Sequence, residues 1–182
     1  MKNYFLQYRA FFIFLLKFFL VYGLFSVCYH FYLRQFDILT FEPDGFRKLV
    51  SNQVQGFLNF LGHDAQVFPN EREPSMKLIF HEKYVARIVE GCNAMSVMIL
   101  FAAFVIAFKG KIKHAFLFIL TGILIIHILN VIRIALLAAA LYYYPEYEHF
   151  LHGVVFPLFI YGVVFALWVV WVQKFSTYGK DS

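Results

Sequence analysis

Apolar residues are spread unevenly along this chain and collect in long runs separated by polar segments. The runs cover about residues 11–33, 92–108, 115–143 and 152–172. A helix of about 20 residues is long enough to cross the hydrocarbon core of a bilayer. The pattern therefore predicts an all-α multi-pass membrane protein with about four transmembrane helices, organised as a single integral membrane domain over residues 1–182.

The longest polar segment, residues 34–91, contains two further patterns. Apolar residues recur at helical spacing over residues 46–61 and predict an amphipathic helix, either flat on the membrane face or packed on the bundle. Short runs rich in strand-forming side chains follow at residues 66–68, 76–80 and 84–89. These runs predict a small β element that delivers the chain to Cys92.

Composition and charge agree with a membrane protein and set its expected orientation. Hydrophobic residues make up 62% of the chain, whereas soluble domains average about half apolar residues. The net charge of +5 does not indicate nucleic-acid binding, because acidic residues concentrate in residues 34–91 and 144–149. Short basic loops such as residues 109–114 stay in the cytoplasm. We therefore expect an inner-membrane protein with both termini cytoplasmic and residues 34–91 outside.

The N-terminus and the cysteines exclude two other interpretations. The basic, apolar N-terminus is similar to a signal peptide, but the bulky residues 24–30 offer no cleavage site, so we expect a retained anchor. Cys28 and Cys92 are too few for a disulfide scaffold, and a single bridge between them is not favoured. The histidines lack a second ligand set, so no metal or other cofactor is predicted.

Three chemically active residues reach nearly the same membrane depth when counted from the basic cytoplasmic ends of their helices. At the helical rise, Cys92 lies about 26 Å, Arg133 about 29 Å and His152 about 33 Å above that side. The hydrocarbon core is about 30 Å thick. All three are therefore predicted at its outer edge, where water and an exported substrate both have access.

Taken singly, each of the three has a structural explanation. Arg133 could snorkel to the surface, Cys92 could be an inert buried thiol, and His152 could be an interfacial polar residue. Their matching depth favours a Cys–His pair assisted by an arginine, with Cys92 as the nucleophile. A helix start and a nearby guanidinium would both favour its thiolate form.

Other polar residues are predicted to support the site: Glu90, Asn93, Asn130 and His149. Glu90 is expected to pair with a cation or to position substrate. Asn130 lies one turn from Arg133 on the same face and could orient it. His149 lies one turn before His152 and is its rival as the catalytic histidine. The weaker rivals are His127 and His81.

The motifs around these residues resemble a known family. Val-Glu-Gly-Cys-Asn-Ala-Met at residues 89–95, Asn-Val-Ile-Arg-Ile at residues 130–134 and His152 after a short outer loop are similar to the exosortase/archaeosortase superfamily. The resemblance covers residues 64–165 and is greatest to the compact Bacteroidetes-type (F-type) exosortases. The family often has glycine two residues after the cysteine, where this chain has Ala94.

The resemblance implies a membrane cysteine protease or transpeptidase in which Cys92 is the nucleophile and Arg133 and His152 complete the site. Such enzymes are thought to recognise C-terminal sorting signals made of a short motif, a transmembrane helix and a basic tail. The expected partners are therefore the lipid bilayer and such substrate proteins, and the short chain leaves room for a small membrane partner. The alternatives are a non-catalytic scaffold or transport subunit, with Arg133 as a structural charge, and a membrane acyltransferase that uses histidine.

Overall fold

The computed structural model describes residues 8–37, 42–108 and 110–175. Its helices and strands, in chain order, are α1 (Arg9–Asp37), α2 (Gly45–Phe60), β1 (Ala65–Pro69), β2 (Met76–Phe80), β3 (Lys83–Ile88), α3 (Met95–Ala107), α4 (Ile112–Tyr143), α5 (Glu148–Phe150) and α6 (Phe156–Val170). The shorter turns are 3₁₀ helices at Glu90–Cys92 and Pro145–Tyr147, and π-helical stretches at Leu151–Val155 and Trp171–Phe175.

The helical membrane fold is confirmed, with one correction to the predicted spans. Three helices in the described ranges are long and apolar enough to cross a membrane: Arg9–Phe36, Ile112–Tyr143 and Pro145–Phe175. The predicted span 92–108 is shorter, because α3 has 13 residues and a length of about 20 Å. It begins only at Met95, since Ala94 adopts a left-handed conformation with φ +58° that interrupts the helix.

Helix α2 is the predicted amphipathic helix, and it packs on the bundle. Asp44 caps it, because its Oδ1 accepts hydrogen bonds at 3.0 Å from the backbone N–H groups of Phe46 and Arg47. The apolar face of α2 joins α4 and the sheet in one core, which includes Val50, Val54, Leu58, Ile134 and Ala138. This packing ties the polar segment to the membrane helices.

The predicted β element is a three-stranded antiparallel sheet in the order β1-β2-β3. In β2 the side chains of Met76, Leu78 and Phe80 are buried and alternate with half-buried ones, as expected for a strand with one face on the core. Within the described ranges β3 pairs with β2 alone and is therefore an edge strand. It leads directly to Cys92.

Aromatic contacts hold α1, α3 and α6 together. The ring of Phe104 on α3 lies 5.5 Å from Phe14 on α1 and 4.4 Å from Trp168 on α6. Close approach of α3 to α4 depends on Gly122, where an added Cβ would lie 2.3 Å from the ring of Phe101. These contacts fix the helix that follows Cys92 between its neighbours.

The outer faces of the long helices carry large exposed apolar side chains, including Phe19, Leu20, Phe116, Leu120, Leu158 and Phe165. A contiguous apolar surface of this kind is expected where lipid, and not water, surrounds a helix. The predicted cytoplasmic termini, at residues 1–7 and 176–182, and Lys109 of the basic loop lie outside the described residues.

Candidate active site

Cys92 lies in the turn between the sheet and α3. It is 7% exposed, ends the 3₁₀ turn Glu90–Cys92, and donates its backbone N–H to Val89 O at 3.0 Å. The prediction that Cys92 lies at the start of the membrane helix is wrong. The thiol residue precedes the first turn of α3, so the helix dipole acts on it less than expected.

The turn after Cys92 is held from both sides. Asn93 Oδ1 accepts the backbone N–H of Met95 at 2.9 Å, and its Nδ2 donates to the Tyr29 hydroxyl of α1 at 3.0 Å. Ala94 is buried in the left-handed conformation, which glycine adopts without strain. The left-handed conformation explains why a glycine suits position 94. The two hydrogen bonds of Asn93 fix the turn.

Asn130 links Cys92 to Arg133. Its side chain is fully buried, its Nδ2 donates to the backbone carbonyl of Cys92 at 2.7 Å, and its Oδ1 accepts from Arg133 Nη1 at 3.2 Å. Asn130 and Arg133 both lie on α4, one turn apart and on the same face. A single amide thereby fixes the guanidinium and the cysteine backbone relative to each other.

Arg133 is a buried cation that has no carboxylate partner among the described residues. It is 8% exposed, and its Nε has no hydrogen-bond partner in the part of the chain that the structure describes. Among the ion pairs of the described residues, none involves Arg133, while Cys92 and Tyr161 line the same cavity as its side chain. Because a buried unpaired charge is costly, such a guanidinium is suited to receive a negative charge that forms in the site.

His152 lies in the π-helical stretch that joins α5 to α6. There the backbone N–H of Phe156 bonds to Leu151 O, five residues back. Pro157 explains the widened turn, because proline has no N–H and its ring clashes with the carbonyl four residues earlier. Single π-turns of this kind are frequent at functional sites, and this one leaves the His152 side chain exposed.

The structure brings Cys92, Arg133 and His152 to the walls of the same two adjoining cavities, which have volumes of about 290 Å³ and 250 Å³. In the described residues, no hydrogen bond joins His152 to Cys92. Catalytic hydrogen bonds often form only when substrate fills a site. The arrangement offers a thiol, a cation and an imidazole around one space.

The rival histidines lie elsewhere. His149 is exposed and lines neither cavity. His127 hydrogen-bonds Gln53 at 2.7 Å, and His81 bonds His63 at 3.2 Å. His152 is therefore the histidine that shares the space with Cys92.

Glu90 does not line either cavity, and it forms no ion pair within the described ranges. Its predicted pairing with a cation is therefore not seen. Neither cysteine is in a disulfide. No group of three or more His, Cys, Asp or Glu side chains in the described residues could hold a metal ion.

Two residues of the candidate site, and a third at its outer end, were not predicted from the sequence. Glu148 lines the larger cavity and Tyr161 the smaller one. Glu148 could have been found, because it lies one turn before His152 on the same helical face. Arg87 of β3 lines the outer end and donates from Nη1 to both carboxylate oxygens of Glu73 at 2.8 Å. This contact lowers the pKa of Glu73 and raises the pKa of Arg87.

The sequence model of the family described as Transmembrane exosortase (Exosortase_EpsH) matches residues 6–173. The chain belongs to the transmembrane exosortase family. The match includes Cys92, Arg133 and His152 and confirms the family that the motifs indicated. No curated protein and no solved structure matches the chain.

Membership assigns this exosortase to the membrane enzymes of the cysteine peptidase or transpeptidase kind. The match is to the family as a whole, so the compact F-type remains a prediction. The family assignment says nothing of the roles of individual residues in this chain. The contacts of Cys92, Arg133 and His152 are what bear on those roles.

Proposed function

We propose that this exosortase cleaves C-terminal sorting signals from exported proteins at the outer face of the inner membrane, with Cys92 as its nucleophile. The observation that carries the proposal is Arg133, a buried guanidinium beside Cys92 with no carboxylate partner among the described residues. A structural arginine would be neutralised by an acid, whereas a catalytic one must be available to the substrate.

The reaction begins when Cys92 transfers its thiol proton to His152 and its sulfur attacks the substrate carbonyl. Arg133 stabilises the thiolate and then the tetrahedral oxyanion. As the C–N bond breaks, His152 returns the proton to the departing amine. The N-terminal part of the substrate remains on Cys92 as a thioester, which water or an amine acceptor resolves.

Neighbouring residues position these groups without reacting. Asn130 holds Arg133 and the Cys92 backbone together. Asn93 fixes the turn that presents the thiol. Glu90 remains a candidate for substrate positioning on the outer side, and His149 lies outside the cavities.

The proposed substrate carries a short motif, a transmembrane helix and a basic tail. Its helix would lie beside α3, α4 and α6, where the exosortase exposes apolar side chains to lipid. The motif then lies just outside the bilayer, next to Cys92. This arrangement requires residues 1–182 to act as one membrane domain with both termini cytoplasmic.

The test is a comparison of protein C-termini in cells that express the wild-type chain or Cys92→Ala. Mass spectrometry of membrane and exported proteins should find that those ending in helix and basic tail lose both in wild-type cells and keep them in the variant. Cys28→Ala is the matched control, because Cys28 is a second free cysteine, exposed on α1. Cells that express Cys28→Ala should remove the sorting signals as wild-type cells do.

Identical C-termini in wild-type and Cys92→Ala cells would overturn the proposal. The chain would then be a non-catalytic member of its family, with Arg133 as a structural charge.

A further inference from the structure

The cavity beside Cys92 belongs to a longer groove, which we call the β3 groove. An outer cavity of about 360 Å³ adjoins the 290 Å³ cavity and shares residues 85–87 and Glu148 with it. The 250 Å³ cavity adjoins it at the other end and shares Cys92. The β3 groove therefore passes from Lys83, at the start of β3, past the thiol to Tyr161 on α6.

The β3 groove lies against the edge of β3 and not against one of its faces. Side chains alternate between the two faces of a strand, so a cavity on one face contacts every second residue. The central cavity is instead lined by residues 85–89 without a gap. β2 pairs with one edge of β3, and the groove faces the other.

The edge of β3 opposite β2 carries backbone N–H and C=O groups that could pair with a further strand. In the described chain, no backbone hydrogen bond outside the sheet involves residues 83–88. Unpaired N–H and C=O groups along an edge strand are a template for an added strand. Across the groove, Ile134, Leu137 and Leu141 of α4 form an apolar wall.

We propose that the substrate segment preceding the scissile bond binds in an extended conformation, as a fourth strand on the free edge of β3. The inference rests on the proposed function, and it names how that function recognises its substrate. At about 3.3 Å per residue, residues 85–89 provide room for about five substrate residues. Recognition comes from the peptide backbone, and the apolar wall selects small apolar side chains at alternate positions.

The added strand runs parallel to β3. β3 leads from the polar segment toward α3, and a substrate whose transmembrane helix follows its motif runs in the same direction. Its N-terminal part therefore lies along β3 and its scissile carbonyl reaches Cys92. The residues after the scissile bond enter the cleft formed by Val97, Ile160 and Tyr161.

The test uses a peptide reagent that alkylates Cys92 in the purified full-length protein. In acetyl-Val-Ala-Val-Ala-chloromethyl ketone the thiolate sulfur bonds to the methylene carbon and chloride leaves. The reference reagent is acetyl-Ala-chloromethyl ketone, which has the same reactive group without the strand. We expect the tetrapeptide to label Cys92 at least about tenfold faster, since each backbone hydrogen bond gained is worth up to about that factor.

The decisive variants are tetrapeptides that carry one N-methyl group on each amide in turn. N-methylation removes one donor and leaves the side chains unchanged. Strand pairing predicts a loss of about tenfold at every second position and little change between them, because alternate N–H groups of a strand face the partner. Equal losses at all positions, or none at any, would overturn the proposal.

A second measurement does not depend on reaction rates. Hydrogen exchange of the tetrapeptide-labelled protein should show new protection of amides within residues 85–89, compared with protein labelled by the reference reagent. Unchanged exchange would contradict the added strand. A Cys92 that reacts with the reference reagent but gains nothing from the tetrapeptide overturns strand addition alone, whereas a Cys92 that neither reagent alkylates counts against the proposed function itself.

Discussion

Two buried arginines of this protein have opposite surroundings. Arg47, which is 1% exposed, lies 3.1 Å from the carboxylate of Asp44, one turn earlier at the start of α2. Arg133, which is 8% exposed, contacts the neutral amide of Asn130 and forms no ion pair with the described residues.

The difference separates a structural charge from a charge available to a ligand. A buried cation is normally stabilised by a carboxylate, and Asp44 does this for Arg47. Arg133 is buried without that compensation, at the wall of a cavity that also holds Cys92. Its positive charge can therefore act on a thiolate or an oxyanion. The comparison predicts that changes at the first site affect stability and changes at the second affect catalysis.

The largest effect is expected at the paired arginine. Asp44→Ser keeps a side chain that can cap α2 but leaves Arg47 buried without its partner. We expect a loss of about 3–5 kcal/mol in the free energy of unfolding, which lowers the melting temperature in detergent by about 10 °C. The double variant Asp44→Ser, Arg47→Met should recover most of this loss. If Asp44→Ser alone is as stable as wild type, Asp44 does not stabilise the buried Arg47, and the contrast between the two arginines fails.

At the unpaired arginine the expected effect is on rate. Arg133→Leu should reduce substrate processing by about 10²–10³-fold, as removal of an oxyanion donor does, while its melting temperature is unchanged or higher. Arg133→Lys should also fail, because an ammonium lacks the planar fork of the guanidinium. A melting temperature that falls as far as that of Asp44→Ser would instead make Arg133 a structural charge.

A smaller effect is expected in the turn that carries Cys92. Ala94→Gly should raise the free energy of unfolding by about 1 kcal/mol, because glycine adopts the left-handed conformation without strain. Ala140→Gly, in the regular helix α4, is the control and should lower it by about the same amount. Thermal unfolding in detergent measures both. If both variants are destabilised, Ala94 is not strained.

The smallest effect is expected at a third arginine, the exposed Arg87. Its contact with Glu73 lowers the pKa of that carboxyl, so the pair stabilises the folded state above the ordinary pKa of glutamate. This contribution is lost as the pH falls through the lowered pKa. Glu73→Gln should change the melting temperature little at neutral pH, since exposed pairs contribute little, and not at all at low pH. A pH-independent loss would point to another role for Glu73.

Much of the fold could be predicted because it depends on local patterns. Apolar run length identified the long helices, and helical periodicity identified α2. Short runs rich in strand-forming side chains identified the strands. The left-handed Ala94 could not be predicted in this way, since an alanine carries no signal for that conformation. The membrane helix consequently begins later than the apolar run suggested.

The candidate site could be predicted in part. The free-energy cost of a charge within a spanning helix draws attention to Arg133, and the estimated membrane depth groups it with Cys92 and His152. The remaining features depend on contacts between distant segments. The Asn93–Tyr29 hydrogen bond joins residues that are 64 positions apart, and no local pattern predicts it. The cavity that β3 and His152 line together likewise depends on the packing of the sheet on α4.

The central claim is that Cys92 carries the substrate as a thioester. The direct measurement is peptide mapping of acid-quenched wild-type protein from cells in which sorting signals are being removed. We expect a Cys92 peptide that bears the C-terminal residues of a processed protein as an adduct, which hydroxylamine releases and which is absent from Cys28. Signals that are removed while Cys92 never carries an adduct, or that are removed equally well by Cys92→Ala, would contradict it.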